Sequence, residues 1–347
     1  MKQIETTINR FDGGIVNDPR DPAESTARVV SNFDVLISPR KMTPYRSSES
    51  GDDAPTTSTK RNFAIALRTG TTYSLYALGV VSGQNYAEIL YKNLTTGAAN
   101  DLDDNTWTNT ANNADSSGAT NFNLFVYYAR TGYIYGASAG SRIWRYDPDG
   151  GDAFAASHNS LTYTQIGQGV VHSKDDILYI PYYNNGGFIA KNNNGSWTNT
   201  ALTLPVGLNP VSICEYGNYL AIGCAPISGF GNSVVFLWDR DSTLTTLDER
   251  IDWGPDVLRI LEQIDGQLIG ISQRGGAGLA TTHIHRDSVI FRIFAGGSFA
   301  TKFLELQANH SGSSHTTILP IIKQKVDNRL LFQMLVELNG SARDGVW

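Results

Sequence analysis

The chain has 347 residues, 41% of them apolar and 10% aromatic, enough to bury a sizeable core in one large all-β domain or two ordinary ones. Only 17% are charged, the net charge is −6 and nothing resembles a basic arm, which argues against a nucleic-acid groove as the main business. The N-terminus, MKQIETTINRFDGG, lacks the apolar centre of a signal peptide, and no run approaches the roughly 18 apolar residues of a membrane helix, so the expectation is a cytoplasmically made chain with no membrane segment.

Residues 1–60 precede any repeat. Asp21-Pro22-Ala23-Glu24 matches a helix start, with Asp as cap, Pro at the first position and Glu three after the cap, and predicts a short helix over Pro22–Val30. Phe33, Val35 and Ile37 then alternate in strand fashion, and SSESGDDAPTTSTKR reads as a polar, flexible connector.

From about residue 62 one unit recurs, with starts near 62, 121, 168, 211, 257 and 317. Each opens on an apolar strand, a short polar turn and a second apolar strand, as in NFAIALR/YSLYALG, NLFVYY/GYIYGAS, QGVVHS/DILYIPYY, PVSICEY/NYLAIG, VLRILEQ/GQLIGIS and ILPIIKQ/RLLFQMLVEL. The third strands are YAEILYKN, SRIWRYDP, GGFIAKN, SVVFLWDR and DSVIFRIF. The fourth are TWTNT, LTYTQI, SWTNTAL, TTLDERIDW and FLELQA, so the echo of Trp107-Thr-Asn-Thr in Trp197-Thr-Asn-Thr marks one position of the repeat. Four antiparallel strands every roughly 40–50 residues is the pattern of β-propeller blades. The reading is an all-β propeller of six four-stranded blades over 61–347, with a partly irregular N-terminal extension over 1–60. In the sixth unit only GVW stands where a third strand should begin, which predicts a chain continuing past Trp347, and Lys41–Arg46 is placed as a closing outer strand.

The chemistry-bearing residues are few. With Gly217-Asn218 as a two-residue turn, Cys214 faces Ala221 while Cys224 points to the other side of the sheet, so no disulfide is expected. His283 and His285 alternate in THIHRD and would share a face, but no third metal ligand is assignable, and His310 and His315 sit in a loop-like stretch. Asp147, Asp149 and Asp152 surround a Gly turn that a hard cation could use, yet the later Glu of an EF-hand loop is missing. Asp248 and Glu249 are strand neighbours pointing to opposite faces, so they cannot act as an acid/base pair. NNGSW is similar to the Asp-box of sialidases but departs from it, with Asn193 in place of the Asp, Lys191 in place of the Ser, and one residue too few before Trp197. The six tryptophans, at 107, 144, 197, 238, 253 and 347, fall on or beside outer strands, where blade-to-blade packing is their ordinary role and an exposed subset would stack sugars or a partner. No catalytic, cofactor or metal residue is assigned.

The N-terminal segment adds what the repeats lack. Phe11-Asp12-Gly13-Gly14-Ile15, Asn17-Asp18-Pro19-Arg20, Asn32-Phe33-Asp34 and Pro39-Arg40-Lys41-Met42-Thr43-Pro44-Tyr45 resemble the opening of a group of tailed-bacteriophage virion proteins. About 45 residues match closely, and the rest only in repeat pattern. The resemblance implies a non-enzymatic virion protein of the tail (nozzle, hub, tip or a tail-associated component). It would form a homo-oligomeric ring with other virion proteins as partners and DNA at most passing through a lumen. Phe11, Asp12, Ile15, Asn17, Asp18, Arg20, Phe33, Pro44 and Tyr45 are its docking residues. Beside it stand a propeller that binds or hydrolyses a host glycan and a cytoplasmic scaffold of the WD-repeat kind, the latter disfavoured because no Trp-Asp or Gly-His pair recurs at blade ends.

Overall fold

The computed structural model describes residues 57–69, 72–81, 87–93, 108–113, 120–138, 142–149, 151, 153–227, 231–241, 247, 249–274, 288–307, 323–326, 329–338 and 341–346, with Phe33–Asp34 and Thr43–Pro44. It divides into two units, residues 1–52 and 53–347. In the first, β1 (Phe33–Asp34) and β2 (Thr43–Pro44) pair antiparallel. The helix expected over Pro22–Val30 lies outside the described residues. So does most of Lys41–Arg46, whose described pair, Thr43–Pro44, ladders with Phe33–Asp34.

The second unit is a run of antiparallel sheets in chain order. Sheet one is β3 (Thr57–Thr69), β4 (Thr72–Val81), β5 (Ala87–Asn93) and β6 (Thr108–Asn113). Sheet two is β7 (Thr120–Tyr128), β8 (Tyr133–Ser138), β9 (Arg142–Asp147) and β10 (Ala153–Asn159). In sheet three, β11 (Gln165–Ile166) and β12 (Val170–His172) both pair with β13 (Ile177–Tyr183), followed by β14 (Gly187–Asn193) and β15 (Ser196–Thr203). Sheet four is β16 (Leu208–Tyr216), β17 (Tyr219–Pro226), β18 (Ser233–Trp238) and β19 (Glu249–Gly254). Sheet five is β20 (Val257–Ile264), β21 (Gln267–Arg274), β22 (Ser288–Phe294) and β23 (Thr301–Gln307). Sheet six has β24 (Lys323–Val326), β25 (Arg329–Leu338) and β26 (Ser341–Val346).

What makes this a propeller is the way the sheets share faces. Successive side chains on a strand point to opposite faces, so a doubly buried strand must be apolar on both. Accordingly all six residues of β18, SVVFLW, are buried. On sheet four, Ile213, Leu220, Ile222 and Cys224 pack with Tyr179, Ile189 and Leu202 of sheet three. Its other face, with Cys214, Ala221, Val235 and Leu237, packs with Leu258, Leu261 and Leu268 of sheet five. Sheet two does the same. Phe125, Ile134 and Trp144 meet Tyr76 and Leu78 of sheet one, while Leu124, Tyr135 and Ile143 meet Leu178 and Ile180 of sheet three. Each such side chain contributes about 1.5–3 kcal/mol when fully buried. The outer strands carry less of the core: in β15 only Ala201 and Leu202 are buried. The fold is a β-propeller.

Tryptophan reaches its place through glycine. Gly136 on β8 is the direct cross-strand partner of Trp144 on β9, and a Cβ there would come within 2.0 Å of the indole. Gly270 on β21 likewise lies under Trp253 of the preceding sheet, with 2.3 Å left for a Cβ.

Several sequence expectations need correction. The fourth strand of sheet two is Ala153–Asn159, not LTYTQI. Of that stretch, Gln165–Ile166 pairs with β13 of sheet three, and Leu161, Tyr163 and Ile166 are buried between the two sheets. The first strand begins at Thr57, inside the stretch read as a connector. The third strand of sheet six begins at Ser341, four residues before the GVW assigned to it. Of ILPIIKQ, Lys323-Gln324 open the strand Lys323–Val326, and residues 318–322 lie outside the described residues.

Candidate functional site

Of the docking residues, Phe33 and Pro44 are Cα partners in the β1–β2 ladder. Phe11, Asp12, Ile15, Asn17, Asp18, Arg20 and Tyr45 lie outside the described residues, as do His283, His285, His310, His315, Asp152, Asp248, Trp107 and Trp347. Asp149 N–H donates to Asp147 Oδ1 at 3.1 Å, an ordinary turn bond. Glu249 is exposed at the start of β19.

The first strands of the sheets converge on one side chain that the sequence reading did not single out. Lys323, on β24 of sheet six, is buried. Its ammonium donates to Ile213 O of sheet four at 2.8 Å and to Leu261 O of sheet five, and pairs with Glu262 Oε2 at 2.7 Å. Its backbone N–H donates to Gln168 Oε1, beside β12 of sheet three, at 3.1 Å. Glu262 also has Lys325 Nζ at 3.9 Å. A buried ammonium is tolerable only when its charge is paired and its donors satisfied, and three acceptors do that here. One side chain thereby ties sheet six to sheets four and five, and its backbone to sheet three.

A second polar cluster spans the turns of sheets three and four. His172, wholly buried at the end of β12, receives Lys174 N–H at Nδ1 (3.3 Å), and its Nε2 lies 3.2 Å from Tyr219 O and 3.0 Å from Arg240 NH1. Arg240, whose φ of 74° is in the left-handed region, reaches back to donate from Nε to Asp175 Oδ2 at 2.7 Å and from NH1 to Asn218 O. Tyr179 Oη donates to the same Asp175 oxygen at 2.9 Å. Burial, then the Asp175 carboxylate, push the Tyr179 phenol well above its ordinary range, so it stays a donor. Ser173 donates to Glu215 through both N–H and Oγ, and Lys174 Nζ to Asn218 Oδ1 at 3.0 Å. The strained backbone of Arg240 is held by these contacts. Chemically the cluster is a clasp, with its acidic and basic groups facing one another.

The other seams are closed in the same manner. Arg292 of β22 pairs with buried Asp256 at 2.7 Å. Tyr128 Oη of sheet two donates to Asp176 O of sheet three at 2.5 Å, and Asn159 Nδ2 to Asn199 Oδ1 at 2.8 Å. Trp144, Trp238 and Trp253 are fully buried on third or fourth strands, as packing requires, and Trp197 is half-buried against Tyr135 and His158. Among the described residues the exposed aromatics are instead Phe299 (66% exposed), Phe303 and Tyr219. Phe299 and Phe303 lie on either side of the start of β23, at the rim of sheet five.

The cysteine expectation is met in full: Cys214 pairs with Ala221, both thiols are free, and the two look into different inter-sheet cores. Among the described residues no group of three His, Cys, Asp or Glu side chains is arranged to hold a metal ion, and no helix is long and apolar enough to cross a membrane.

No protein-family model matches the chain, and no curated protein matches it. Solved structures similar to it include the Dos1 propeller, at 10% identity over 81% of this chain and 68% of that one, with a TM-score of 0.49. Others are the SapL1 lectin in complex with alpha methyl fucoside (10%, 84% and 94%, 0.45) and the COPII outer coat vertex on membranes (12%, 82% and 74%, 0.45).

Proposed function

We propose that this chain is a non-enzymatic structural component of a tailed-bacteriophage virion, part of the tail, assembled with other virion proteins as a symmetric homo-oligomeric ring. The observation that carries the reading is how the buried polar chemistry is spent. Lys323, Glu262, His172, Asp175 and Arg240 are all engaged in joining one sheet to another, and Arg292 holds Asp256 in the connector between sheets four and five. Such a molecule is a stiff block suited to repeated packing. The N-terminal motifs from Phe11 to Tyr45 supply the resemblance to tail proteins and the docking segment. With Lys323 on the inner strands, DNA would pass through a lumen bounded by several subunits rather than through one propeller. The net charge of −6 suits such a lumen, because Lys and Arg contacts to phosphate would retain DNA.

Cryo-electron microscopy of the native particle tests this. The expected result is a closed ring containing this chain at a tail position. A chain found only as free, solitary propellers, with none in the particle, overturns it.

One observation favours a second reading, a glycan-binding or glycan-hydrolysing propeller. Phe299 and Phe303 leave two aromatic rings to solvent on one rim, and such rings stack on sugars. A glycan array probed with the intact chain and with Phe299→Ala discriminates the two readings: binding lost in the variant supports the second.

A further inference from the structure

The sequence contains three Asn-Gly pairs, at 185–186, 194–195 and 339–340. The first two lie on described turns and form a natural controlled pair. Asn185 (φ 53°) and Asn194 (φ 50°) are both exposed and both left-handed, the conformation that Asn tolerates best among residues with a Cβ. They differ in what holds the following nitrogen. Gly195 N–H donates to Asn192 Oδ1 at 2.7 Å, and Asn194 N–H donates to Tyr128 Oη of the neighbouring sheet at 3.3 Å. In the loop joining β13 to β14, the backbone bond is Asn184 N–H to Gly186 O at 2.9 Å, and among the described residues no acceptor holds Gly186 N–H.

We propose that Asn185 is a site of spontaneous deamidation and that Asn194 is shielded from it. In the reaction the Gly186 nitrogen attacks Asn185 Cγ, a C–N bond forms, and the side-chain amide leaves as ammonia carrying the proton from Gly186. Water then opens the resulting succinimide at either carbonyl, giving Asp or isoAsp, with no oxidant or reductant. The attacking nitrogen must lose its proton, so a hydrogen bond from that N–H to Asn192 Oδ1 opposes the step at Gly195. At Gly186 it is unopposed. Glycine also offers no side chain to hinder the approach. The product adds a negative charge at the loop, and isoAsp adds a backbone atom between residue 185 and Gly186, lengthening the loop that leads into Gly187. There the space is already taken: a Cβ on Gly187 would come within 2.6 Å of Leu208 O on the next sheet. Ageing at this position therefore presses on the seam between sheets three and four.

The test is peptide mapping by mass spectrometry of the full folded chain after incubation at mildly alkaline pH, with the urea-unfolded chain as reference. The folded chain is expected to convert Asn185 several-fold faster than Asn194, and the unfolded chain to convert the two alike. Equal rates in the folded chain, or a faster Asn194, overturn the proposal. Asn192→Ala, which frees Gly195 N–H, is expected to raise conversion of Asn194 toward that of Asn185. If that variant fails to fold, the folded-against-unfolded comparison in the parent chain still decides.

Discussion

Lys323 shows how much one residue can hold. Its ammonium has three acceptors from two other sheets. Lys323→Met should therefore cost about 3–5 kcal/mol, because Glu262 is left buried beside the more distant Lys325. Urea denaturation reads the loss, and adding Glu262→Gln should recover a large part of it; no recovery would mean the ion pair is not the reason for the cost. Titratable groups in the seams set the pH limits. Burial, then Arg145, hold the His158 imidazole below its ordinary 6.5, so the unfolded chain binds its proton first and stability falls as pH drops through that value. On the alkaline side burial raises the thiols of Cys214 and Cys224 and the phenol of Tyr179 above their ordinary values of 9.0 and 10.0. There the unfolded chain loses protons that the folded chain keeps, so stability should decline again. The urea midpoint is expected to drop from about pH 8 to about pH 10.

At the scale of strands, position within a sheet decides the consequence of a change. Phe236 sits on β18, buried on a strand with neighbours on both sides, and Phe236→Ala should cost about 3–5 kcal/mol. Thr198 on outer strand β15 is exposed, and Thr198→Ala should stay within about 0.5 kcal/mol. Equal effects in thermal unfolding would contradict the gradient from middle to outer strand. The same gradient explains what could be read from the sequence. Middle strands such as SVVFLW and YLAIGC announce themselves because both faces are apolar. The turn between VLRILEQ and GQLIGIS is plain in kind but falls one residue later than those runs imply, at Asp265-Gly266 with φ of 49° and 77°, because Ile264 still pairs with Gln267. Outer strand AFAASHN has no β-branched residue and one large apolar side chain, so in sequence the more apolar LTYTQI looks like the strand. Lys323 was invisible for a different reason. A lysine in a strand of alternating charge reads as solvated, and only the meeting of sheets from distant parts of the chain buries it.

For the molecule as a whole, each interior sheet lends one face to the sheet before it and the other to the sheet after it. Stability then accumulates seam by seam, and the clasp around Asp175 and Arg240 is one seam's share. The recurrence of Trp-Thr-Asn-Thr was legible because it falls at one place in the repeat: Thr108 pairs with Tyr91 on the third strand of sheet one, and Thr198 with Lys191 on the third strand of sheet three.

The opposed cysteines turn this layering into a built-in instrument. Cys214 looks into the seam between sheets four and five, and Cys224 into the seam between sheets three and four, from a single hairpin. A thiol reagent that reacts with only one of them reports which side of that sheet has parted, without any label or engineered probe. In mild urea, Lys323→Met, which cuts a tie to sheets four and five, should bring Cys214 into reaction ahead of Cys224. Simultaneous modification of the two would mean that the seams open as one.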